Sequence, residues 1–133
     1  MSKFLQILFN KKPDDISVNI DRSDALLVVR LCVNGRRKAR ILCVIESETT
    51  ILIGDIQHDN LDNDFNKGYG SMMMDKLLQY SHENRFTHIY GNLSEVDRNH
   101  KGRLHHFYEK FGFTITEYPE LQGNNYGRID MRL

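Results

Sequence analysis

The sequence has no tryptophan, only two cysteines and two prolines, and no excess of either charge: 18 Lys and Arg balance 18 Asp and Glu. No apolar run is longer than Ala25 to Val29. Each shortage excludes something. Zero net charge leaves no global basic field to draw the chain onto nucleic acid or an anionic membrane. A run that short falls far below the roughly 20 residues of a membrane-spanning helix. Cys32 and Cys43 lack CxxC spacing and lie in apolar runs, Leu26 to Val33 and Ile41 to Ile45, as buried reduced thiols do. A tight hairpin at Asn34-Gly35 sets Cys32 opposite Arg37 and Cys43 opposite Leu26, so the sulfurs do not meet and no disulfide is expected. Phe4 to Phe9 is too short for a secretory core, no small-residue cleavage pattern follows it, and Lys11, Lys12 and Pro13 come next. The expected location is the cytoplasm.

What is present fits one domain over residues 1–133. At 15.6 kDa, with 40% hydrophobic and 27% charged residues, the chain is long enough to bury about two thirds of its unfolded surface without metal or disulfide staples. The first 24 residues are weakly patterned. Phe4/Leu8 and Leu5/Phe9 predict a turn or two of helix over residues 4–10, and Ile16 to Ile20 alternates like a short strand. From Leu26 the signal is stronger. Leu26 to Val33, Ala39 to Glu46 and Thr50 to His58 form a three-stranded antiparallel meander, turning at Asn34-Gly35 and near Ser47-Glu48. Gly54, inside the third strand, predicts a bulge.

After the polar loop 59–67 the period changes. Met73, Leu77 and Tyr80 recur at helical spacing from Gly68-Tyr69-Gly70-Ser71 to Asn84. Phe86 to Leu93 is a strand, and Leu104, Phe107 and Phe111 form the buried stripe of a second helix ended by Gly112. Phe113 to Tyr118 and Tyr126 to Leu133 close the domain. The order is βββ-α-β-α-ββ: an α/β (α+β) fold with a mixed, mostly antiparallel twisted sheet and one parallel pair joined by a crossover helix.

Two constellations carry chemistry. Gly68-x-Gly70-Ser71 sits where a helix begins, so its backbone N–H groups lack intrahelical partners and face the positive end of the helix dipole. Glycine lets phosphate oxygens approach the backbone, and Lys67 adds a charge. The segment lacks the GK[ST] of a P-loop and the third glycine of a dinucleotide fingerprint. Taken alone it also reads as a tight turn capped by Ser71. In the second constellation, Tyr108 is either an amphipathic residue at the edge of its helix or a phenol held to give a proton to a leaving group. Among the other polar residues, Asp97 reads as a helix cap, His105-His106 as a partly exposed helix pair without metal spacing, and Asp59, Asp62 and Asp64 as a solvated loop. Arg36-Arg37-Lys38 reads as a charged edge.

Together these stretches resemble the GNAT superfamily of acetyl-coenzyme A dependent N-acetyltransferases, in its short bacterial form with the N-terminal helices reduced or absent. The likeness runs from about Leu26 to the C-terminus. Gly68 and Gly70 match the family's R/Q-x-x-G-x-G/A, while Tyr108, Lys110, Gly112 and Phe113 match Y-x-K-x-G-F. Asn92-Leu-Ser-Glu-Val-Asp97, Arg103-Leu104 and Phe107-Tyr108 are similar to a bacterial subgroup reading GxLSxxD…RLxxFYxKxGF. Phe65 stands where the family has Arg or Gln, and Lys101 where it often has Asn.

The resemblance implies acetyl-coenzyme A as co-substrate, no metal, and transfer to a primary amine by direct attack. Its pyrophosphate would lie on Lys67, Gly68, Gly70 and Ser71. Its pantetheine arm would pair with the backbone of Ile56 to His58, where the strand ending at His58 splays from the strand ending near Leu93. Arg103 would reach a phosphate, and Tyr108 would touch the thioester sulfur and protonate it. Asp55 is the first candidate base, followed by His58, Glu95 and Asp97. The implied partner is an amine-bearing small molecule or protein. Dimers are common in the superfamily, and Phe4 to Phe9 is the segment here that would supply a contact. The alternative reading is a catalytically inactive coenzyme A binding or protein-interaction module on the same fold.

Overall fold

The structure is a computed structural model, and it describes residues 13–59 and 68–133. The helical turns expected over 4–10, and with them Phe4 to Phe9, lie outside the described residues, as do Asp62, Asp64, Phe65 and Lys67. Among the described residues ten elements follow one another: β1 (Ile16–Ser23), β2 (Leu26–Val33), β3 (Arg36–Ile45), β4 (Thr50–His58), α1 (Tyr69–Glu83), β5 (His88–Ser94), a 3₁₀ helix (Glu95–His100), α2 (Lys101–Lys110), β6 (Thr114–Gln122) and β7 (Asn125–Arg132). All seven strands join one sheet in the order β1-β2-β3-β4-β5-β7-β6.

The meander therefore has four strands rather than three. β1 runs on through Asp21, Arg22 and Ser23, because antiparallel pairing with β2 satisfies its backbone whatever its side chains. Asn34 (φ 52°) and Gly35 (φ 81°) both take the left-handed conformation of a two-residue hairpin. Cys32 lies opposite Arg37 as expected. Cys43, however, pairs with Leu27 and not Leu26, because the register slips by one residue between Leu31 and Cys32. β3 is also an inner strand, so Arg36-Arg37-Lys38 is not a sheet edge. Arg37 instead reaches Asp59, Nε to Oδ1 3.9 Å. At the far side, β6 is the true edge and accommodates Pro119, which cannot donate to a ladder.

The core lies between α1 and the first strands. Val29, Leu31, Ile41, Cys43 and Ile51 on the sheet and Met73, Met74 and Leu77 on α1 are fully buried. Each such side chain contributes about 1.5–3 kcal/mol by leaving water. Burial pushes the Cys43 thiol up to about 12, so it stays protonated and inert. Farther along the sheet, Asp130 on β7 accepts from the Arg128 guanidinium at 2.6 and 2.7 Å and lies 2.8 Å from His88 Nε2 on β5.

One discontinuity positions everything else. β4 and β5 are the parallel pair, and they stay together only from Thr50/His88 to Ile53/Gly91. At that point Gly54 is the bulged residue. Ile53 pairs with Cys43 and Asp55 with Leu42, and a Cβ on Gly54 would come within 3.2 Å of the Leu42 carbonyl oxygen. Beyond the bulge β4 keeps β3 on one side and leaves β5 on the other. The backbone of Ile56 to His58 thus turns one edge toward a gap in the sheet.

Candidate active site

The gap opens into a cleft of about 520 Å³. β4 contributes Asp55, Ile56 and His58, α1 contributes Gly68, Gly70 and Ser71, and α2 contributes Arg103 and Tyr108. Of the expected site residues within the described part of the chain, all but the candidate base Glu95 therefore border one space.

At its helical wall, Gly68 is the N-cap of α1 in the left-handed conformation (φ 78°), and no side chain caps the helix. No acidic residue occupies the first turn either. The N–H groups at this terminus are thus left for an anion, with the helix dipole in their favour. Ser71 is not the cap expected of it. It lies inside the first turn, where its hydroxyl accepts from Lys110 Nζ at 2.7 Å. The two glycines also differ in what they allow. A Cβ on Gly68 would meet nothing within 4 Å, so the positive φ alone demands glycine there. A Cβ on Gly70 would stand 3.1 Å from Cε1 of Phe107, so this glycine lets α2 approach α1.

Phe107 and Lys110 share a face of α2, and the Lys110 ammonium lies over the Phe107 and Phe111 rings at 5.5 and 5.3 Å. These contacts hold a fixed cation beside the open end of α1. Lys110 matched a motif in the sequence, but its 39-residue separation from Ser71 hid this bond.

Helix α2 is buried differently from the expected stripe. Leu104, Phe107 and Phe111 are only half-buried, and Tyr108 is the buried residue, 7% exposed. Leu104 and Phe107 turn to the cleft, whereas Tyr108 packs edge-on to Phe107 and Phe113, with ring centroids 5.3 and 5.5 Å away. The chain also locks this residue by its backbone. The Phe113 N–H donates to the Tyr108 carbonyl at 3.2 Å and the Gly112 N–H to the Glu109 carbonyl at 2.9 Å, closing a Schellman turn. The Tyr108 hydroxyl forms no hydrogen bond among the described residues. Burial, and then the nearby carboxylates of Asp55 and Asp97, push its pKa well above the usual phenol range. It remains a protonated donor throughout the neutral range.

The candidate bases separate in the same way. Asp55 accepts from Gln57 Nε2 at 2.8 Å, and Gln57 Oε1 accepts from Arg40 Nε at 2.6 Å, which orients the carboxylate at the bulge. Glu95 is held by Arg98 at 2.8 Å. Asp97 is not the cap of α2. His100 takes that position, Ser94 caps the 3₁₀ helix, and Asp97 sits in that helix's first turn, facing the cleft. The two histidines of α2 are partly exposed, as expected, but have different surroundings. His105 Nε2 lies 3.0 Å from the Tyr126 hydroxyl, while His106 lines the cleft. Asn92, Ser94 and His100 also line it; Asn92 and Ser94 belong to the segment that resembled the bacterial subgroup, but no role was read for any of the three.

A split parallel pair, an uncapped helix terminus and a buried phenol are the features that the GNAT resemblance leads one to expect. Comparison with known proteins agrees: residues 65–113 match the acetyltransferase (GNAT) family model. The structure superposes on a GNAT family acetyltransferase from Elizabethkingia anophelis with acetyl-CoA bound (TM-score 0.68, 14% identity, 91% of this chain and 100% of that one). It also superposes on the ribosomal-protein-S18-alanine N-acetyltransferase from Escherichia coli (TM-score 0.60, 16% identity, 84% and 70%). Among curated sequences, the uncharacterized protein YocC of Bacillus subtilis (strain 168) is 30% identical over 84 residues, which is 63% of this chain. The match spans about half of that relative, 48% of its length. The fold is thus that of the GNAT acetyltransferases, and the segment that resembles the family's sequence carries both the helix terminus and Tyr108.

Proposed function

We propose that the chain transfers an acetyl group from acetyl-coenzyme A to a primary amine by direct attack. The observation that carries this reading is that one cleft unites the uncapped terminus of α1, the unpaired edge of β4 and the unpartnered hydroxyl of Tyr108. These residues fit a phosphorylated thioester. The N–H groups after Gly68, together with Lys110 and Arg103, would hold its phosphates, and the free edge of Ile56 to His58 would pair with its amide-bearing arm. Bound there, acetyl-coenzyme A supplies an activated acyl group.

Asp55 takes the proton that the acceptor's ammonium must lose before its nitrogen can attack. The C–N bond forms as the C–S bond breaks. Tyr108 gives its proton to the departing sulfur and regains one from the nitrogen of the new amide. Asp55 then returns its proton to solvent. No covalent bond to the chain is needed.

The test begins with the thermal unfolding midpoint, with and without excess acetyl-coenzyme A. At about 100 times Kd, a ligand of the native state adds roughly 2.7 kcal/mol, which is several degrees for a domain of this size. Thiol release is then followed with a panel of primary amines. No shift and no release would sink the proposal.

A further inference from the structure

Among the described residues the sheet has two outer edges, and they differ in how they resist pairing with another chain. β6, at one end, carries Pro119 between Glu117 and Glu120, and its ladder with β7 is broken between Glu117 and Gln122. β1, at the other end, holds all of its residues in unbroken register with β2. It contains no proline, glycine or lysine, and the stretch Ile16 to Ile20 carries no charge. Asp21 and Arg22 follow, but each is engaged within its own chain. Asp21 forms an ion pair with Arg30, and Arg22 Nε donates to the Asp24 carbonyl at 3.4 Å.

The ladder fixes which groups the free edge offers. The Asn34 N–H donates to the Asp15 carbonyl at 2.8 Å, so the odd-numbered residues of β1 turn their backbone groups toward β2. These directions alternate along an antiparallel strand, and the N–H and C=O groups of Ile16, Val18, Ile20 and Arg22 therefore point outward. Among the described residues no strand pairs with them. The side chains follow the same alternation: Val18 and Ile20 pack against the core, while Ser17, Asn19 and Asp21 are exposed. We propose that β1 is a dimerisation edge, pairing antiparallel with β1 of a second copy of this chain about a two-fold axis at Asn19. Val18 of each copy then stands opposite Ile20 of the other, Ser17 opposite Asp21 and Ile16 opposite Arg22. The outward groups satisfy one another through about eight main-chain hydrogen bonds. The apolar pairs select this register, since a shift of two residues sets Val18 against Arg22 and Asn19 against Asp21. The gap between β4 and β5 lies beyond β3, so both clefts stay open and the pairing is independent of the chemistry there.

The test is the molar mass of the full chain by sedimentation equilibrium over a range of concentrations. It should rise with concentration from 15.6 kDa toward twice that value. Asn19→Asp sets two carboxylates against each other on the axis, and should keep the chain monomeric where the unaltered chain is dimeric. Within the chain the new carboxylate faces Arg30, so the unfolding midpoint of the dilute protein should hold. Oxidation in a Cys32→Ser background reads the register separately. Asn19→Cys should give a disulfide-linked dimer, because the two β carbons meet at the axis, and Ser23→Cys should not. A mass of 15.6 kDa at every concentration would overturn the proposal and leave the edge to an extended segment of another protein. A dimer that Asn19→Asp leaves intact would overturn it by placing the interface elsewhere. Crosslinking through Ser23→Cys as readily as through Asn19→Cys would overturn the register, and with it the pairing about Asn19.

Discussion

The two walls of the cleft solve opposite electrostatic problems. Where α1 begins, the chain presents unsatisfied N–H groups, excludes acidic residues from the first turn and fixes Lys110 by a 2.7 Å bond to Ser71. Where β4 bulges and the 3₁₀ helix starts, it presents Asp55 and Asp97, neither in an ion pair among the described residues, near a buried phenol. The first wall suits an anion and the second a cation. One sheet discontinuity, at Gly54, opens both. The difference suggests that orientation comes from charge before shape: a phosphorylated donor and a cationic acceptor would each be repelled by the wall meant for the other.

The sharpest way to break this comparison is at the residue where the walls meet. Tyr108→Phe should lower kcat by about 10²- to 10⁴-fold, the range of a lost general acid. The acetyl-coenzyme A induced rise in unfolding midpoint should persist, since the phosphate-facing wall is untouched. Folding should also persist, because the deleted hydroxyl has no hydrogen bond to lose among the described residues. Unchanged turnover would remove Tyr108 from the mechanism.

How much of this was legible in the sequence follows the range of the interactions. The Asn34-Gly35 turn, the bulge at Gly54 and the Schellman turn at Gly112 are local demands on the backbone, and local patterns revealed them. Tyr108 and the α1 terminus were legible for the same reason, with a strand between two short motifs. Burial on α2 was misjudged because periodicity marks an apolar face without saying whether a core or a cleft covers it. Leu104 and Phe107 face the cleft, and Tyr108 is the residue that is buried. The Lys110 to Ser71 bond, the cleft-facing place of Asp97 and the one-residue slip that moves Cys43 from Leu26 to Leu27 all depend on elements meeting across the fold. No spacing rule encodes such meetings. β1 was underestimated because its outer residues are polar, although ladder pairing needs no side-chain pattern.

A smaller effect sharpens the difference between the walls. Lys110→Met keeps the apolar stem against Phe107 and Phe111 and removes the cation. The Kd for acetyl-coenzyme A should rise about tenfold, the scale of one charge-assisted hydrogen bond. The dependence of that Kd on salt should flatten, because one charge fewer is left to screen. The KM for the amine should stay where it was. A change in amine KM equal to the change in donor Kd would mean that the walls do not act separately.

The smallest expected effect is in the pH profile. Burial first, and then the Asp55 and Asp97 carboxylates, raise the Tyr108 pKa above that of an unfolded phenol, about 10. Below that pH both the folded and unfolded forms keep the proton, and the group adds no pH dependence to stability. Above it the unfolded chain releases a proton that the folded chain retains, so stability falls as pH rises further. For catalysis the same shift keeps the donor protonated. Between pH 8 and 10, kcat should therefore show no decline, and the unfolding midpoint should begin to fall only beyond about pH 10. A decline in kcat near pH 8.5 would mean that a different acid serves the leaving group. If Asp97→Asn moved the alkaline limb of kcat to lower pH, by withdrawing one of the charges that raise the Tyr108 pKa, without altering the acetyl-coenzyme A dependent shift in midpoint, the two walls would be separable by titration as well as by geometry.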